Sequence, residues 1–378
     1  MLVGIDAIPL IQPKTGIGHY TFELANALAR YKSTDEIRLL SPATLAPPQI
    51  DSNELPFNLI AEQVAVGPVT RKWFSLGLPR YAKRTKLDVF HGTNYDIPLW
   101  HACPTVVTIH DLSLLLHPEY QSKRVVLRAR RRLPIMSRAA TGIIVPTNSI
   151  KDEVCERLRV PSQKVHVVPE AARDIFHEVT SKEIESVRTR FGIRDQFIFT
   201  VGTIEPRKNY LMLIRSFERL RQLKTDCRMQ LVIAGSIGRG SQEVLRLINE
   251  SAVCDDIVLT GYLEDLALRA LYTSCRLFVY PSFYEGFGLP PLEAMRCGVP
   301  VIATSTAAVA EVVGDAARLV DPTSEDQLLQ SLLEVAFNDE VRRSLTERGR
   351  TRVALLSWEH TAELTREVYL KVLSQYNK

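Results

Sequence analysis

Several features are scarce in this 378-residue sequence, and each absence excludes a class of protein. No run of about 18 apolar residues occurs, so the sequence predicts no membrane-spanning helix. The six cysteines are scattered and form no C-x-x-C pair, which argues against a disulfide framework or a cysteine-bound metal and is typical of a cytoplasmic protein. The N-terminal residues MLVGIDAIPL lack a basic region and a cleavage site, and therefore indicate a buried first strand instead of a signal peptide.

Net charge is also low, at +4, but it is unevenly placed. Residues 1–170 contain 21 Lys and Arg against 15 Asp and Glu, which leaves +6 there and −2 in the remainder. Six cations with aromatic neighbours lie in Arg71–Lys86, and seven cations without an acid lie in Gln121–Arg138. Such stretches favour peripheral contact with an anionic membrane, although a solvated helix face explains many charge runs. No nucleic-acid-binding module is recognisable, so nucleic acid is not a predicted partner.

Short apolar segments alternate with helical patterns, which predicts βαβ units and parallel sheets. The strands predicted in the first half are Leu2–Ile5, Ile37–Leu40, Val89–His91, Thr105–Ile109, Gly142–Val145 and Val165–Val168. The helices predicted there are Gly18–Tyr31, Arg124–Ser137 and Ser149–Arg157. The strands predicted in the second half are Phe197–Val201, Met229–Ala234, Ile257–Thr260, Leu277–Tyr280, Val299–Ala303 and Ala317–Val320.

The polar stretch 169–195 lies between these two series and is predicted to connect them. We therefore expect two α/β, Rossmann-like, doubly wound domains in tandem, at residues 1–175 and 176–357. Residues 358–378 are predicted to form a last helix that crosses back to the N-terminal domain. Ligands of doubly wound sheets bind at the carboxyl ends of the strands, which places the expected site in a cleft that the two domains face.

The segment from Tyr280 to Met295, YPSFYEGFGLPPLEAM, contains a strand end, a glycine-bearing loop and a helix start. Gly286 and Gly288 precede a helix N-terminus, where free N–H groups and the helix dipole favour an anion. Glu285 lies on the loop and Glu293 lies one turn into the helix, so the two carboxylates can bind different parts of one extended ligand. An ordinary strand-loop-helix turn is the alternative interpretation.

A second loop, Val201–Asn209 or VGTIEPRKN, also follows a strand and opens a helix. Its adjacent cations Arg207 and Lys208 suit a diphosphate, because arginine can bind phosphate oxygens in pairs. The alternative is a solvated basic turn. That alternative is weaker here because the two loops belong to the same predicted sheet.

In the first half, Gly16 and Gly18 follow the first strand and precede a helix. They are not a dinucleotide-binding fingerprint, because Thr21 occupies the place of the third glycine. His110 follows the strand Thr105–Ile109 at its carboxyl end, and is either functional or a satisfied structural histidine. Asp111 is predicted either to orient His110 or to cap the next helix.

Together these motifs resemble those of the retaining GT-B glycosyltransferases of family 4. The resemblance rests on GTIEPRKN, followed about 80 residues later by EGFGLPPLEA, and it extends over most of the chain. Further matching segments are Thr15–Tyr20, Ile109–Leu112, Val309–Asp315 and Ser357–Trp358.

The resemblance implies a role for each matching residue. Glu285 faces the transferred sugar and Glu293 binds the ribose hydroxyls. The backbone amides of Gly286, Phe287, Gly288 and Leu289 meet the sugar and the phosphates. Arg207 and Lys208 neutralise the diphosphate, so that neither a metal ion nor another cofactor is expected.

The resemblance assigns the remaining positions less directly. The loop with Gly16 and Gly18 closes over the donor phosphates, His110 contacts the sugar at the reaction centre, and Tyr262 belongs to the nucleobase pocket. Thr203 is a departure, since many family members have arginine directly after this glycine. Part of the phosphate clamp must then come from Arg207 and Lys208.

The Gly-Thr form at Thr203 resembles bacterial mannosyltransferases that use GDP-mannose. The sequence therefore predicts an α-mannosyltransferase that acts on a saccharide or lipid-diphosphate-linked acceptor in cell-surface polysaccharide synthesis, in the cytoplasm or at the inner face of the plasma membrane. Retention without an assignable nucleophile implies attack by the acceptor hydroxyl on the same face of the sugar. The alternatives are a UDP-sugar donor, a nucleotide-sugar 2-epimerase of the same fold, or a non-catalytic sugar-nucleotide-binding subunit.

Overall fold

The computed structural model describes residues 1–11, 16–31, 35–43, 56–64 and 72–376, which form two compact units. Thr15 and Arg71, named above, lie outside the described residues. Unit 1 comprises Met1–Leu116, Lys123–Glu170 and Ser357–Lys378, and unit 2 comprises His117–Ser122 and Ala171–Leu356. Apart from the short segment His117–Ser122, which belongs to unit 2, the chain passes from unit 1 to unit 2 between Glu170 and Ala171. This point lies a few residues before the domain boundary expected from the sequence.

Unit 1 contains a parallel sheet with the strand order β3-β2-β1-β4-β5-β6-β7. Its strands are β1 (Leu2–Asp6), β2 (Glu36–Ser41), β3 (Leu59–Gln63), β4 (Val89–Gly92), β5 (Thr105–Thr108), β6 (Gly142–Val145) and β7 (Val165–Val167). Its first five helices are α1 (Gly16–Arg30), α2 (Leu78–Thr85), α3 (Ser113–Leu116), α4 (Lys123–Ala139) and α5 (Asn148–Leu158). The central strands are buried along their length, which is why they read as continuous apolar runs in the sequence.

Unit 2 contains a second parallel sheet, with the order β10-β9-β8-β11-β12-β13. Its strands are β8 (Phe197–Val201), β9 (Gln230–Ala234), β10 (Ile257–Gly261), β11 (Leu277–Tyr280), β12 (Val301–Thr304) and β13 (Ala317–Val320). Its helices are α6 (Ser181–Phe191), α7 (Tyr210–Leu223), α8 (Gln242–Glu250), α9 (Asp265–Ser274), α10 (Leu289–Arg296), α11 (Ala307–Val313), α12 (Glu325–Phe337) and α13 (Asp339–Ala354). The sheet order reverses between β8 and β11, so the carboxyl ends of these two strands flank the topological switch point.

The last helix, α14 (Trp358–Tyr376), belongs to unit 1 and packs against α1. Its buried Tyr369 hydroxyl lies 2.7 Å from Nδ1 of His91 on β4, and the other ring nitrogen of His91 lies 2.7 Å from Thr108 Oγ1. This buried hydrogen-bond chain links the C-terminal helix to the middle of the sheet.

No helix in the described part of the chain is both long and apolar enough to cross a bilayer.

The two basic segments differ in what they expose. In the described part of Arg71–Lys86, the aromatic side chains of Trp73 and Tyr81 are buried, so the expected mixture of cations and surface aromatics is wrong for these two residues. Helix α4 buries one face and exposes another, on which cations alternate with Leu127 and Ile135. The mixed basic and apolar surface is therefore found on α4.

Candidate functional site

The first candidate loop connects β11 to α10 in unit 2. The strand ends at the buried Tyr280, and α10 begins at Leu289 with prolines in its first turn. Gly288 has φ +110°, a conformation that L residues with a side chain rarely adopt, and it caps the helix. The side chain of Phe287 is buried in the core, so only the backbone of this residue can meet a ligand. The loop therefore presents backbone amides at a helix N-terminus, as the sequence predicts.

The second candidate loop connects β8 to α7. After β8 the chain passes through Gly202 and the exposed Thr203 into a single helical turn, Pro206–Lys208, and α7 follows directly. Gly202 is a close neighbour of Gly235 at the end of β9, where an added Cβ would lie 2.1 Å from the Gly202 carbonyl oxygen. Two glycines thus allow adjacent strand ends to approach each other.

A charged cluster joins the two loops. Lys208 Nζ lies 2.7 Å from Glu285 Oε1, and Arg207 Nη1 lies 2.8 Å from Glu285 Oε2. Arg207 also pairs with Glu205 at 2.8 Å, and Lys208 Nζ donates a hydrogen bond to the Tyr280 hydroxyl at 3.3 Å. The structure therefore brings Arg207 and Lys208 of one loop into contact with Glu285 of the other, and it adds Glu205 and Tyr280 as partners.

The ionisation of Glu285 follows from this cluster. Burial alone would raise the pKa of the carboxyl, but Lys208 and Arg207 outweigh burial and hold the pKa at about 2. The group is thus a carboxylate at neutral pH, with one oxygen directed at each cation. A carboxylate has about four acceptor sites, so Glu285 can still accept a hydrogen bond from a hydroxyl group of a ligand.

Glu293 lies in different surroundings, one turn into α10. It is buried, it accepts a hydrogen bond from the Tyr272 hydroxyl at 3.2 Å, and its Oε1 lies 3.6 Å from Arg173 Nη2. Burial raises the pKa of this carboxyl to about 7, and Arg173 opposes the rise. Glu285 is therefore charged throughout the neutral range, whereas Glu293 gains or loses its charge within that range, a difference that their sequence spacing does not reveal.

Tyr262 stands apart from these groups. It follows β10, the edge strand of the sheet and two strands from β8, and 62% of its surface is exposed. Among the described residues, no recorded contact joins Tyr262 to the Glu285 cluster. Its assignment to a nucleobase pocket stays a prediction.

Unit 1 holds the other predicted residues. Gly16 and Gly18 lie within the first turn of α1 and not in a loop before it, because the helix begins two residues earlier than the sequence pattern indicates. Gly18 is buried, whereas Gly16 is exposed at the start of the helix. The helix N-terminus itself, with its free N–H groups, is thus the feature that Gly16 offers to a ligand.

His110 is held at both ring nitrogens. Nδ1 lies 3.0 Å from a Glu170 carboxylate oxygen, and Nε2 lies 2.9 Å from the Thr93 carbonyl oxygen. The Tyr20 ring packs edge-on at 4.6 Å. Burial disfavours the charged ring, but Glu170 and the Thr93 carbonyl outweigh burial and raise the pKa of His110. Both ring nitrogens of His110 thus face acceptors, which favours the imidazolium.

Asp111 contacts the next helix, and its charge also helps to raise the pKa of His110. Its carboxylate accepts a hydrogen bond from the Ser113 backbone N–H at 2.7 Å, which caps the start of α3. Of the two roles predicted from the sequence, the structure thus records the cap. The groups that fix His110 are Glu170 and Thr93.

Sequence reasoning missed Glu170 and Arg173, which lie three residues apart where the polar connection begins. Both are buried, and each faces a predicted site residue within its own unit, Glu170 facing His110 and Arg173 facing Glu293. Little in the sequence indicated their roles, since charged residues in a polar segment are usually exposed to solvent. In the described part of the chain, no group of three or more His, Cys, Asp or Glu is arranged to hold a metal ion.

Comparisons with known proteins agree over most of the chain. The Glycosyltransferase Family 4 profile matches residues 14–172, and the Glycosyl transferases group 1 profile matches residues 181–352. O-antigen chain mannosyltransferase B of Escherichia coli is 31% identical over 373 residues, which are 96% of this chain and 97% of that protein. The MMP alpha-(1->4)-mannosyltransferase of Mycolicibacterium hassiacum is 30% identical, over 92% of this chain and 85% of that protein.

Among solved structures, the sucrose-phosphate synthase of Thermosynechococcus elongatus superimposes with a TM-score of 0.77 over 99% of both chains. Its sequence identity is 20%, so the likeness concerns the fold alone. The two Rossmann-like units of this chain and its likeness to this solved structure identify the GT-B fold. Because the two profiles and a relative of nearly full length agree, the chain belongs to glycosyltransferase family 4 and is a glycosyltransferase.

Proposed function

We propose that this glycosyltransferase moves mannose from GDP-mannose, with retention of the anomeric configuration, to a glycan or lipid-linked saccharide in cell-surface polysaccharide synthesis. The observation that carries the proposal is the cluster of Arg207, Lys208 and Glu285 beside the amides at the start of α10. Two similar relatives are named mannosyltransferases, and one is named for the O-antigen chain, which supports mannose and a polysaccharide product. A UDP-sugar donor is the alternative.

In the proposed reaction, a sugar with oxocarbenium character develops while the nucleoside diphosphate leaves. We assign neutralisation of the leaving group to Arg207, Lys208 and the amides of the 286–289 loop, in place of a metal ion. Groups that are already oriented stabilise this charge as it forms, without reorganisation. Glu285 orients the two cations and accepts a hydrogen bond from a sugar hydroxyl, and Glu293 accepts hydrogen bonds from the ribose hydroxyls. The acceptor hydroxyl attacks the anomeric carbon on the face from which the diphosphate departs; the bond from that carbon to the diphosphate oxygen breaks, and the hydroxyl proton passes to the departing diphosphate.

The donor is tested by thermal unfolding of the purified protein with GDP, UDP and ADP. We expect GDP to raise the Tm most, because a ligand stabilises only the state that it binds, by about 2.7 kcal/mol at a hundred times its Kd. Lys208→Ala should reduce this shift. A larger shift with UDP would contradict the GDP assignment and leave the transferase assignment in place.

We propose further that α4 contacts an anionic membrane at the inner face of the plasma membrane. Leu127 and Ile135 are 52% and 49% exposed and share an outward helix face with Arg124, Arg128 and Arg131. Apolar side chains flanked by cations suit the boundary between lipid head groups and acyl chains. The positive charge also suits an acceptor linked to a lipid diphosphate.

Sedimentation with vesicles tests this proposal. We expect the wild type to bind vesicles that contain phosphatidylglycerol and to be released by salt, because each cation near such a surface contributes about 1 kcal/mol. Arg124→Glu combined with Arg131→Glu should lower binding at least about tenfold. Charge reversal of the exposed Arg246 on α8 is the matched control. Salt-insensitive binding, or equal binding by the double variant, would contradict the proposal.

A further inference from the structure

Arg173 is a fixed cation inside unit 2. Its guanidinium donates two hydrogen bonds to Asp265 at the start of α9, with Nη1···Oδ2 at 2.6 Å and Nη2···Oδ1 at 2.9 Å. The guanidinium carbon also lies 4.8 Å from the centre of the Phe176 ring. A buried arginine that is paired bidentately and stacked on a ring has little freedom to move. Its charge is therefore held at a defined place.

The guanidinium of Arg173 lies beside the carboxylate of Glu293. Arg173 Nη2 lies 3.6 Å from Glu293 Oε1, which is too long for a hydrogen bond but close enough for a strong charge interaction. The Tyr272 hydroxyl donates to the other carboxylate oxygen. Asp265 and the buried thiol of Cys297 are further titratable neighbours of Glu293 in the described part of the chain.

We infer that Arg173 is a positioning residue that keeps Glu293 in the charged form needed to accept hydrogen bonds from the ribose hydroxyls of a nucleoside diphosphate, and that Asp265 acts in the opposite sense. The inference rests on the proposed function, in which Glu293 binds the ribose. Arg173 acts through Glu293 and does not touch the ligand in this assignment.

The direction of the pH effect follows from the surroundings of Glu293. Burial raises the pKa of its carboxyl to about 7, Arg173 lowers it, and Asp265 adds to the rise. The carboxylate form, which can accept hydrogen bonds from two ribose hydroxyls, is thus the form that predominates above about pH 7. Nucleotide binding should weaken as the pH falls through this pKa. Loss of Arg173 should move the weakening to higher pH, and loss of Asp265 should move it to lower pH.

The experiment is calorimetric titration of the full-length protein with GDP between pH 6 and 9, for the wild type, Arg173→Met, Arg173→Lys and Asp265→Asn. Removal of an opposite charge at this distance changes a carboxyl pKa by about 1–3 units, so we expect the Arg173→Met midpoint to rise by about one pH unit or more. Arg173→Lys should restore most of the wild-type profile. The terminal phosphate of GDP also titrates, but equally for every variant, so the differences between variants report on the protein.

Arg296→Met is the matched control, because Arg296 also belongs to unit 2, lies on the same helix as Glu293 and pairs with Asp174 instead. It should keep the wild-type profile. Opposite shifts for Arg173→Met and Asp265→Asn support the inference, since damage to the fold would move both in the same direction. Parallel shifts, or a flat profile for a wild type that binds GDP, overturn the inference and leave the donor assignment intact. If the wild type binds UDP and not GDP, the same titrations use UDP. Binding of neither nucleotide overturns the proposed function, and the inference with it.

Discussion

Glu285→Gln is expected to lower kcat by about two to four orders of magnitude while the protein stays folded. In the wild type this carboxylate pairs with both Lys208 and Arg207, at 2.7 and 2.8 Å. An amide of the same shape has one oxygen and directs its NH2 group at one of the cations. Both cations then lose the negative charge of this partner, and Lys208 loses its only side-chain ion pair among the described residues, whereas Arg207 keeps Glu205.

Lys208→Ala is expected to have an effect of similar size, because Lys208 supplies charge to the leaving group directly. Loss of one partner from a buried ion pair costs about 3–5 kcal/mol when the other charge is left unpaired. Arg207 still pairs with Glu285 in this variant, so the loss of stability should be smaller. Circular dichroism and the Tm establish folding before initial rates of transfer are compared.

Glu205→Gln is the matched control for these two variants. Glu205 pairs with Arg207 at 2.8 Å through its side chain, whereas its contact with Lys208 is made by its backbone carbonyl, which accepts a hydrogen bond from the Lys208 N–H at 3.0 Å and is unchanged in the variant. We expect its kcat to fall by less than about tenfold, since the pair of Lys208 and Glu285 remains intact. Wild-type rates for purified Glu285→Gln and Lys208→Ala would contradict the assignment of the site.

Much of this fold could be predicted because most of its strands are buried on both faces. Such strands read as short apolar runs, and the predicted and observed bounds of β6, β8, β11 and β13 are the same. The sequence missed β3, an edge strand in which only Leu59 is fully buried, so no apolar run marks it. For the predicted strand Val299–Ala303, the observed strand β12 begins only at Val301. Val299 belongs instead to the turn after α10, where its N–H donates to the Ala294 carbonyl.

The candidate site was predictable where it is local and was missed where it is not. Gly288 and Lys208 lie in motifs whose turns and charges can be recognised within ten residues. The contact between Lys208 and Glu285 joins positions 77 residues apart, and only the pairing of β8 with β11 brings them together. Glu170 and Arg173 were missed because their contacts with His110 and Glu293 depend on burial, and the polar sequence around them does not indicate that they are buried.

Glu170→Gln is expected to remove a pH-dependent part of the stability of unit 1 and to lower kcat by about tenfold to a hundredfold. In the wild type, the imidazolium of His110 interacts with a buried carboxylate at 3.0 Å. Replacement by Gln keeps a hydrogen-bond acceptor but removes the negative charge. The ring then loses the interaction that outweighs its burial.

The sign of the pH dependence follows from the raised pKa of His110. A histidine binds its proton more tightly in the folded state when its folded pKa exceeds the ordinary value of about 6.5. The resulting stabilisation is complete below that ordinary value and is lost as the pH rises through the folded pKa. The Tm difference between wild type and Glu170→Gln should therefore be largest near pH 6 and decrease towards pH 9.

A second histidine–glutamate pair gives the control for this prediction. His117 and Glu119 lie 3.3 Å apart, but Glu119 is exposed, so water screens the interaction. Glu119→Gln should change the Tm little. A Tm difference for Glu170→Gln that is constant from pH 6 to 9 would show that His110 is neutral in the folded protein. His110 would then carry no fixed charge, and its contribution to transfer would have to come from the neutral ring.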